Sequence, residues 1–556
     1  MIERTAIRAL GRVGRFAGAL TRASEGGVAM IFALALPALS LMAVAGIDIH
    51  RAATVRMNLQ DALDAASLAA ARSSEATDAG VRTIGMRALR ANLQAYPNTS
   101  LIEAAPDTDF QLNDDGTVVA TAKANVTTLI ANMLLGSTIK VAAASEVTRS
   151  SSKVEVALVL DNTGSMAQNG KLTATKTAAT DLVNRLEAIA DRSSDADAVR
   201  VSLVPFSQTV RVISGWSSGT GVSNAAQSGW LTGSNNHTGG TGDYGLFSAG
   251  RNRFSMFQTL GEGWDGCVEA RPQPYDIRDT APSNSLEDSM FVPYFAPDQP
   301  DRDDYPNDDT WQDYRSEGNN YLNDGRSGST SWSPFSSNSA REAEWFARLR
   351  NVSKYKATTG LNSGFGPNKG CDLQPIVRLT TEFDDITDAI DDMTATGNTN
   401  VPLGMMWGWH SISPNAPFAD GVDYGTRGVQ KIVILMTDGE NVMSSIDNPN
   451  DSSYNGLGYI WQNRLGITSG SNSTRRTRMD NRLENPTAGQ EDLCTNMKAQ
   501  GIIIFTIGVQ VDTDAQAMLR RCSSGSEYYF NVTSTSGIST AFDRIAGSLE
   551  SLRISR

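Results

Sequence analysis

The sequence predicts an α/β fold over residues 153–556, built on a doubly wound, mostly parallel sheet and preceded by a transmembrane helix and a small α+β region. Apolar runs at 156–160, 431–436 and 501–511 have the length of buried strands, and segments of helical periodicity alternate with them. A separate uncharged run occupies residues 26–47. At 556 residues the chain is too long for one ordinary core, so more than one domain is expected.

The uncharged run at 26–47 would span about 33 Å as a helix, enough to cross the hydrocarbon core of a bilayer. Positive charges are denser before it than after it; the upstream ones include Arg4, Arg8, Arg12, Arg15 and Arg22. The positive-inside rule therefore predicts a basic cytoplasmic tail at 1–25 and a transmembrane helix at 26–48, with the rest of the chain outside. A cleavable signal peptide is the alternative, but the long run with Pro37 in its middle favours an uncleaved anchor.

Residues 49–150 are predicted to form a long helix and a small sheet, which is a pilin-like plan. Helical spacing continues past residue 47 to residue 72 without a Gly or Pro in between. Apolar and polar residues alternate at 118–126 and again at 139–147, as in strands with one buried face. The segment "NDDGT" at 113–117 is typical of a hairpin turn. The anchor helix is therefore expected to continue into this region.

The C-terminal domain has further elements in α/β order, with one long interruption. Predicted helices start near residue 171 and lie near 376–394, 401–410 and 537–555, and further strands are predicted at 198–206 and 526–532. The interruption, at about 211–375, is rich in Gly, Ser, Asn, Asp and Trp. Because a structureless loop of this length is uncommon in a compact domain, we expect a folded, loop-rich insertion.

Four cysteines lie in the part of the chain predicted to be outside the cytoplasm: Cys267, Cys371, Cys494 and Cys522. There is no CxxC pair and the chain has three histidines, so a zinc site is not expected. An even count fits two disulfides in an oxidising compartment, although the count alone allows three connectivities. Cys494 precedes the strand at 501–511 and Cys522 follows the next helix. We therefore pair Cys494 with Cys522, which leaves Cys267 with Cys371.

The strand at 156–160 ends in "DNTGSM", where Asp161, Thr163 and Ser165 occupy alternate positions. The carboxyl edge of a parallel sheet delivers the residues after each strand to a crevice. Carboxylate and hydroxyl oxygens that converge there suit a hard divalent cation, with Mg²⁺ favoured over Mn²⁺ or Ca²⁺. The structural alternative is that Asp161 only caps the helix that starts near residue 171.

This pattern resembles the metal-ion-dependent adhesion site (MIDAS) of von Willebrand factor A domains, written Asp-x-Ser/Thr-x-Ser. The resemblance implies two more ligands, Thr399 in "GNTNVPLGM" and Asp438 at the end of "KIVILMTDGEN". It also implies that Ser165, Thr163 and Thr399 contact the metal directly, whereas Asp161 and Asp438 act mostly through water. As alternatives, Thr399 would only cap the following helix and Asp438 would only occupy a turn.

The N-terminal run "GGVAMIFALALPALSLMAVAGIDIHRA" and the following "LQDALDAASLAAA" are similar to the N-terminal region of TadE/TadG-like proteins of Flp (Tad) pilus assembly. The similarity covers roughly residues 25–75. It implies a single-pass protein of the bacterial inner membrane, with its N-terminus in the cytoplasm and its C-terminal domain in the periplasm. Exposure of that domain on the cell surface is the alternative location.

Together, the two resemblances imply a membrane-anchored, non-catalytic component of Flp pilus assembly. Its expected partner is a pilus or secretion-machinery subunit that supplies a carboxylate to the bound metal. The net charge of −13 argues against a nucleic-acid partner. One alternative is a pilin-like tip adhesin released from its anchor. The other is a metal-dependent hydrolase with His410 as its base, but no hydrolase motif is present, so we predict that the chain is not an enzyme.

Overall fold

The computed structural model divides the chain into two compact units, residues 1–150 and residues 151–556, and each is described by itself. The described residues are 27–73, 77–96, 99–113, 117–128, 138–148, 153–191, 193, 195–215, 229–232, 246–247, 252–300, 318–322, 338–356, 361, 364–426, 428–446 and 448–554. The predicted basic tail and most of the predicted hairpin turn lie outside them, as do parts of the predicted insertion.

The N-terminal unit packs two helices on a four-stranded antiparallel sheet. Its elements are α1 (Gly27–Ala71), α2 (Asp78–Leu93), β1 (Ser100–Leu101), β2 (Asp109–Leu112), β3 (Thr117–Thr127) and β4 (Thr138–Thr148). Strand β3 is the centre of the sheet and pairs with each of the other three strands. The long helix and the two main strands predicted here are confirmed.

Helix α1 changes character along its 45 residues, a length of about 67 Å. In its first half the apolar side chains are exposed, and Ile31 and Leu34 expose 70% and 76% of their surface. In its second half Leu59 and Leu63 are fully buried and belong to one core with Val118 of β3. Among the described residues, this is the one helix long and apolar enough to cross a membrane.

Helix α2 was not predicted from the sequence. Its N-cap is Thr77, whose side-chain oxygen accepts a hydrogen bond from the backbone N–H of Gly80. Gly85 lies against the ring of Phe110 in β2, where an added Cβ would come within 2.4 Å of a ring carbon. The glycine therefore lets the helix pack closely on the sheet.

The C-terminal unit is a six-stranded, mostly parallel sheet with helices on both faces, as predicted. Its strands are β5 (Lys153–Asp161), β6 (Val199–Phe206), β7 (Val210–Arg211), β8 (Cys267–Val268), β9 (Val377–Thr380), β10 (Val429–Thr437), β11 (Ile503–Val509) and β12 (Tyr529–Val532). The order across the main sheet is β12, β11, β10, β5, β6, β9, and β7 pairs with β8 outside it. Strands β5 and β10 are central neighbours, so their carboxyl ends lie side by side.

Two apolar cores cover the two faces of this sheet. The helices are α3 (Lys171–Asp191), α4 (Arg253–Leu260), α5 (Asn338–Leu349), α6 (Phe383–Asp391), α7 (Val401–Ile412), α8 (Asn472–Leu483), α9 (Leu493–Ala499), α10 (Thr513–Cys522) and α11 (Ser536–Ile554). Helices α3, α6 and α11 share one core, and α7, α9 and α10 share the other. Every residue of α7 is buried. Its Gly404 and Gly408 lie so close to Phe206 and Val159 that an added Cβ would clash.

The prediction of a single helix near 376–394 is wrong in its first part. Residues Val377–Thr380 form the edge strand β9, which pairs antiparallel with β6. The helix begins only at Phe383. Pro375 and the β-branched Ile376, Val377 and Thr380 favour extended backbone, and the free edge of β6 supplies hydrogen-bond partners for it.

The described part of the insertion is folded, and both predicted disulfides are present, Cys267–Cys371 and Cys494–Cys522. A second excursion, between β10 and α9, was not predicted and includes helix α8. Glu269 joins the two regions: it is fully buried and forms ion pairs with Arg253 of the insertion and Arg464 of the second excursion. Tyr454 donates a further hydrogen bond to it.

Candidate metal centre

The two predicted carboxylates lie at the carboxyl edge of the sheet, on adjacent strands. Asp161 is the last residue of β5, and Asp438 directly follows β10. The parallel register pairs Leu160 with Met436, which places the two strand ends at the same level. The apolar sequences that bury these strands therefore also bring the two acidic groups together. We call Asp161, Thr163, Ser165, Thr399 and Asp438 the candidate metal centre.

Asp161 is completely buried and held by hydrogen bonds on both of its oxygens. Its Oδ1 accepts from the backbone N–H of Thr163 at 2.9 Å, and its Oδ2 accepts from the hydroxyl of Thr437 at 2.6 Å. Burial, and secondly the charge of Asp438, raise the pKa of Asp161 to about 6. The negative charges of the two neighbouring carboxylates repel each other, and a bound cation would reduce that repulsion.

Ser165 links the first loop to the second carboxylate. Its hydroxyl donates to Oδ1 of Asp438 at 2.7 Å and lies 2.9 Å from the hydroxyl of Thr163. The short 3₁₀ segment Gly164–Gly170 carries it, so the chain turns back over the strand end immediately after β5. Hydrogen bonds therefore connect the side-chain oxygens of Thr163, Ser165 and Asp438 in that order.

Thr399 comes from the loop before α7 and joins the same group. The backbone N–H of Gly164 donates to the carbonyl of Gly397 at 3.0 Å, which ties this loop to the first one. A Cβ added to Gly439 would lie 3.6 Å from the hydroxyl oxygen of Thr399 and 3.8 Å from that of Ser165. Both hydroxyls thus border one point beside the second strand end. The structure brings all five residues of the candidate metal centre together from three loops.

The donor set fits the cation that a MIDAS-like pattern implies. It consists of two carboxylates and three hydroxyls, and oxygen ligands are those that Mg²⁺ prefers. Within the described residues, no three His, Cys, Asp or Glu side chains group closely enough to hold a metal. Hydroxyl oxygens would therefore have to complete any coordination here.

One charged residue of this site was missed in the sequence. The ammonium group of Lys171, the first residue of α3, lies 2.7 Å from Oδ2 of Asp438. Only the position of Lys171, ten residues after Asp161 and directly after Gly170, could have drawn attention to it. Lysine at the start of a helix usually indicates an exposed side chain, and Lys171 is 7% exposed.

His410, the one imidazole considered as a base, is fully buried on α7. Its Nδ1 lies 3.2 Å from Oδ1 of Asp279, and the rings of Phe291 and Trp407 pack against it. His410 lies roughly 13 Å further along the helix than Val401, at about 1.5 Å per residue, and Val401 is the residue of α7 that follows Thr399 most closely in the chain. Burial lowers the pKa of His410. An enclosed imidazole at this distance is a packing residue.

Two family models match the chain. One, described as Flp pilus-assembly TadE/G-like, matches residues 26–73, and the von Willebrand factor type A domain model matches residues 155–247. A search of curated proteins finds no match.

Several solved structures are similar at low identity. The von Willebrand factor domain of the type V pili tip protein Mfa5 from Porphyromonas gingivalis is 12% identical, with a TM-score of 0.30, over 73% of this chain and 97% of that one. The pilus adhesin RrgA from Streptococcus pneumoniae is 10% identical, with a TM-score of 0.29, over 81% and 50%. The pilus adhesin SpaC from Lactobacillus rhamnosus GG is 11% identical, with a TM-score of 0.28, over 80% and 33%. This chain thus spans about a third of the length of SpaC.

Proposed function

Because this chain carries a TadE/G-like N-terminal region and a von Willebrand factor type A domain, we propose that it is a membrane-anchored, non-catalytic, metal-dependent protein-binding component of Flp pilus assembly. The observation that carries the proposal is the convergence of Asp161, Thr163, Ser165, Thr399 and Asp438 at one edge of the sheet. The cation is Mg²⁺, in preference to Mn²⁺ or Ca²⁺. The partner is a protein of the pilus or secretion machinery.

The proposed location is the bacterial inner membrane, with the N-terminus in the cytoplasm and the C-terminal unit in the periplasm. The exposed apolar half of α1 supports an anchor, because no other described element covers its side chains. The two disulfides support an oxidising compartment for the C-terminal unit.

The proposed centre would bind a divalent cation, and its three hydroxyls and two carboxylates would have different roles. Bound Mg²⁺ would supply an open coordination position for a carboxylate oxygen of the partner. The hydroxyls of Thr163, Ser165 and Thr399 would hold the cation, and Asp161 and Asp438 would orient them and supply negative charge. The fixed hydrogen bonds of Asp161 keep it in place without a partner, so the protein side of the interface is preorganised.

The test is Mg²⁺-dependent stabilisation of the full-length chain in detergent. A ligand at 100 times its Kd stabilises the native state by about 2.7 kcal/mol if it binds only that state. Ser165→Ala should weaken Mg²⁺ binding at least ~10-fold, because it removes one proposed ligand and the hydrogen bond to Asp438. Titration of MgCl₂, followed by thermal unfolding, measures this.

Ser202→Ala is the matched control, since Ser202 is a buried serine of the same sheet whose hydroxyl lies 2.8 Å from that of Ser411. It should lose about 1 kcal/mol of stability and keep the full Mg²⁺ response. An equal Mg²⁺ response in Ser165→Ala and wild type would refute the metal centre.

A further inference from the structure

Lys171 lies at an unfavourable place for a buried cation. It is the first residue of α3, where the helix dipole presents its positive end, and a positive charge there is disfavoured. Its side chain is 9% exposed, so its ammonium group has lost most of its hydration. Neither helix formation nor solubility explains a lysine in this position.

The ion pair with Asp438 accounts for this placement. Asn169 and Gly170 both have positive φ, 54° and 69°, and these left-handed residues turn the chain at the end of the 3₁₀ segment, directly before α3. The turn directs Lys171 under the candidate metal centre, where its Nζ lies 2.7 Å from Oδ2 of Asp438. Oδ1 of the same carboxylate accepts from Ser165. Lys171 and Ser165 thus fix the orientation of Asp438 from two sides.

The charges of the site give this lysine a second effect. Asp161 and Asp438 carry two negative charges, and Lys171 carries one positive charge, so the group has a net charge of −1. A bound divalent cation would bring the net charge to +1. Without the lysine the loaded site would be neutral. Lys171 therefore opposes the metal, but it leaves the loaded site with an attraction for an anion.

We propose that Lys171 is a specificity-determining residue of this centre, which lowers its affinity for the divalent cation and gives the metal-loaded centre an attraction for an anionic ligand such as a carboxylate. This inference rests on the proposed function. It assigns to Lys171 an effect on the choice of anion and cation that the five predicted ligands do not provide.

The test uses the full-length chain in detergent and isothermal titration with MgCl₂. Lys171→Gln keeps an N–H donor near Asp438 but removes the charge, and we expect it to bind Mg²⁺ at least ~10-fold more tightly than wild type. Lys176→Gln is the control, because it removes the same charge from the same helix, roughly 7.5 Å further along its axis. It should bind Mg²⁺ within about twofold of wild type.

A second measurement addresses anion selectivity with sodium acetate, compared with sodium chloride at equal ionic strength. Acetate should raise the Tm of the Mg²⁺-loaded wild type and of Lys176→Gln. It should raise the Tm of Lys171→Gln by less than half as much. A purely structural role for Lys171 would lower the Tm of the variant without changing either response.

The outcomes separate this inference from the function on which it rests. If wild type binds Mg²⁺ and Lys171→Gln binds it equally or more weakly, the inference is overturned but the proposed function is not. The same holds if acetate raises the Tm of both proteins equally. No Mg²⁺ binding by either protein overturns both the inference and the metal-dependent function. Mg²⁺ binding by Lys171→Gln but not by wild type supports the opposing role of the lysine and overturns metal dependence of the natural chain.

Discussion

The two ends of the central strands β5 and β10 both bury charged groups, but the charges are balanced differently. At the amino end, Glu155 is 1% exposed and forms ion pairs with Lys431 and Arg200. The backbone N–H of Val422 also donates to it, at 2.9 Å. At the carboxyl end, Asp161 and Asp438 are neighbours, and Lys171 forms an ion pair with Asp438. Among the described residues, one carboxylate thus has two cations at the amino end, whereas two carboxylates have one cation at the carboxyl end.

This difference shows that buried charge alone does not identify a binding site. Glu155 has protein partners for both of its oxygens, so its environment is closed and serves the fold. The aspartate pair has a surplus negative charge and is surrounded by hydroxyls, which are good ligands for a hard cation. The surplus, together with the neighbouring oxygens, is the reason why we propose the carboxyl end, and not the amino end, as the binding site. Three substitutions test this contrast.

The largest expected effect is at the amino end. Glu155→Gln should destabilise the C-terminal unit by about 3–5 kcal/mol, because it leaves the buried Lys431 and the partly buried Arg200 without their carboxylate. All nine tryptophans lie after residue 150, so urea denaturation followed by tryptophan fluorescence reports on this unit. The Mg²⁺ response should be that of wild type. A loss below about 1 kcal/mol would mean that the amino end is not the closed structural cluster described above.

A slightly smaller effect is expected at the carboxyl end, where it should depend on pH. Burial raises the pKa of Asp161 from an ordinary value of 3.8 to about 6, so the native state holds this proton more tightly than the unfolded state. Without metal, the wild-type chain should therefore lose about 3 kcal/mol of stability as the pH rises from about 4 to about 6.

Asp161→Asn should lack this loss, because asparagine does not titrate. Urea denaturation at intervals between pH 4 and pH 7 in metal-free buffer gives the free energy of unfolding of each protein. Subtracting the value of the variant from that of wild type removes the contributions of titrating groups that behave alike in both. A difference that stays constant over this range would show that the pKa of Asp161 is not raised in the native state.

The smallest effect should come from the outer cation of the amino-end cluster. Arg200→Gln should cost about 1 kcal/mol, because its side chain is 21% exposed and Glu155 keeps Lys431 and the N–H of Val422. Urea denaturation of this variant beside Glu155→Gln measures how the cluster divides its stabilisation. An equal loss in both variants would show that Arg200, and not Lys431, is the main partner of Glu155.

The candidate metal centre could be predicted partly from local rules, which point to Asp161, Thr163 and Ser165, and partly from the resemblance to the metal-ion-dependent adhesion site, which implied Thr399 and Asp438. Asp161 and Asp438 each follow an apolar run with the composition of a buried strand, and strands of this kind share one edge of a sheet. Thr399 precedes a helix, where the chain returns to that edge. The same apolar runs predicted the sheet, and alternation predicted β3 and β4.

The features that were missed depend on tertiary neighbours. Strand β9 exists because the edge of β6 is free, which the segment itself does not reveal. Lys171 gives no local signal, since its partner lies 267 residues away. The second excursion has little apolar periodicity, and the ion pair of Arg464 with Glu269 joins it to a distant segment of the chain. Pairing of this kind is not encoded in the spacing of either segment.

Helix α1 continues without a break from its exposed apolar half into the core beneath β3 and β4. A continuous helix resists extension and bending better than a flexible tether of the same number of residues. Pro37 removes one backbone hydrogen bond of the helix and is the point at which the apolar half bends most easily. Tension applied to the helix after Pro37 would pass directly into the sheet of the N-terminal unit. The helical segment from residue 38 to Ala71 would therefore move with the sheet of the N-terminal unit as a single body.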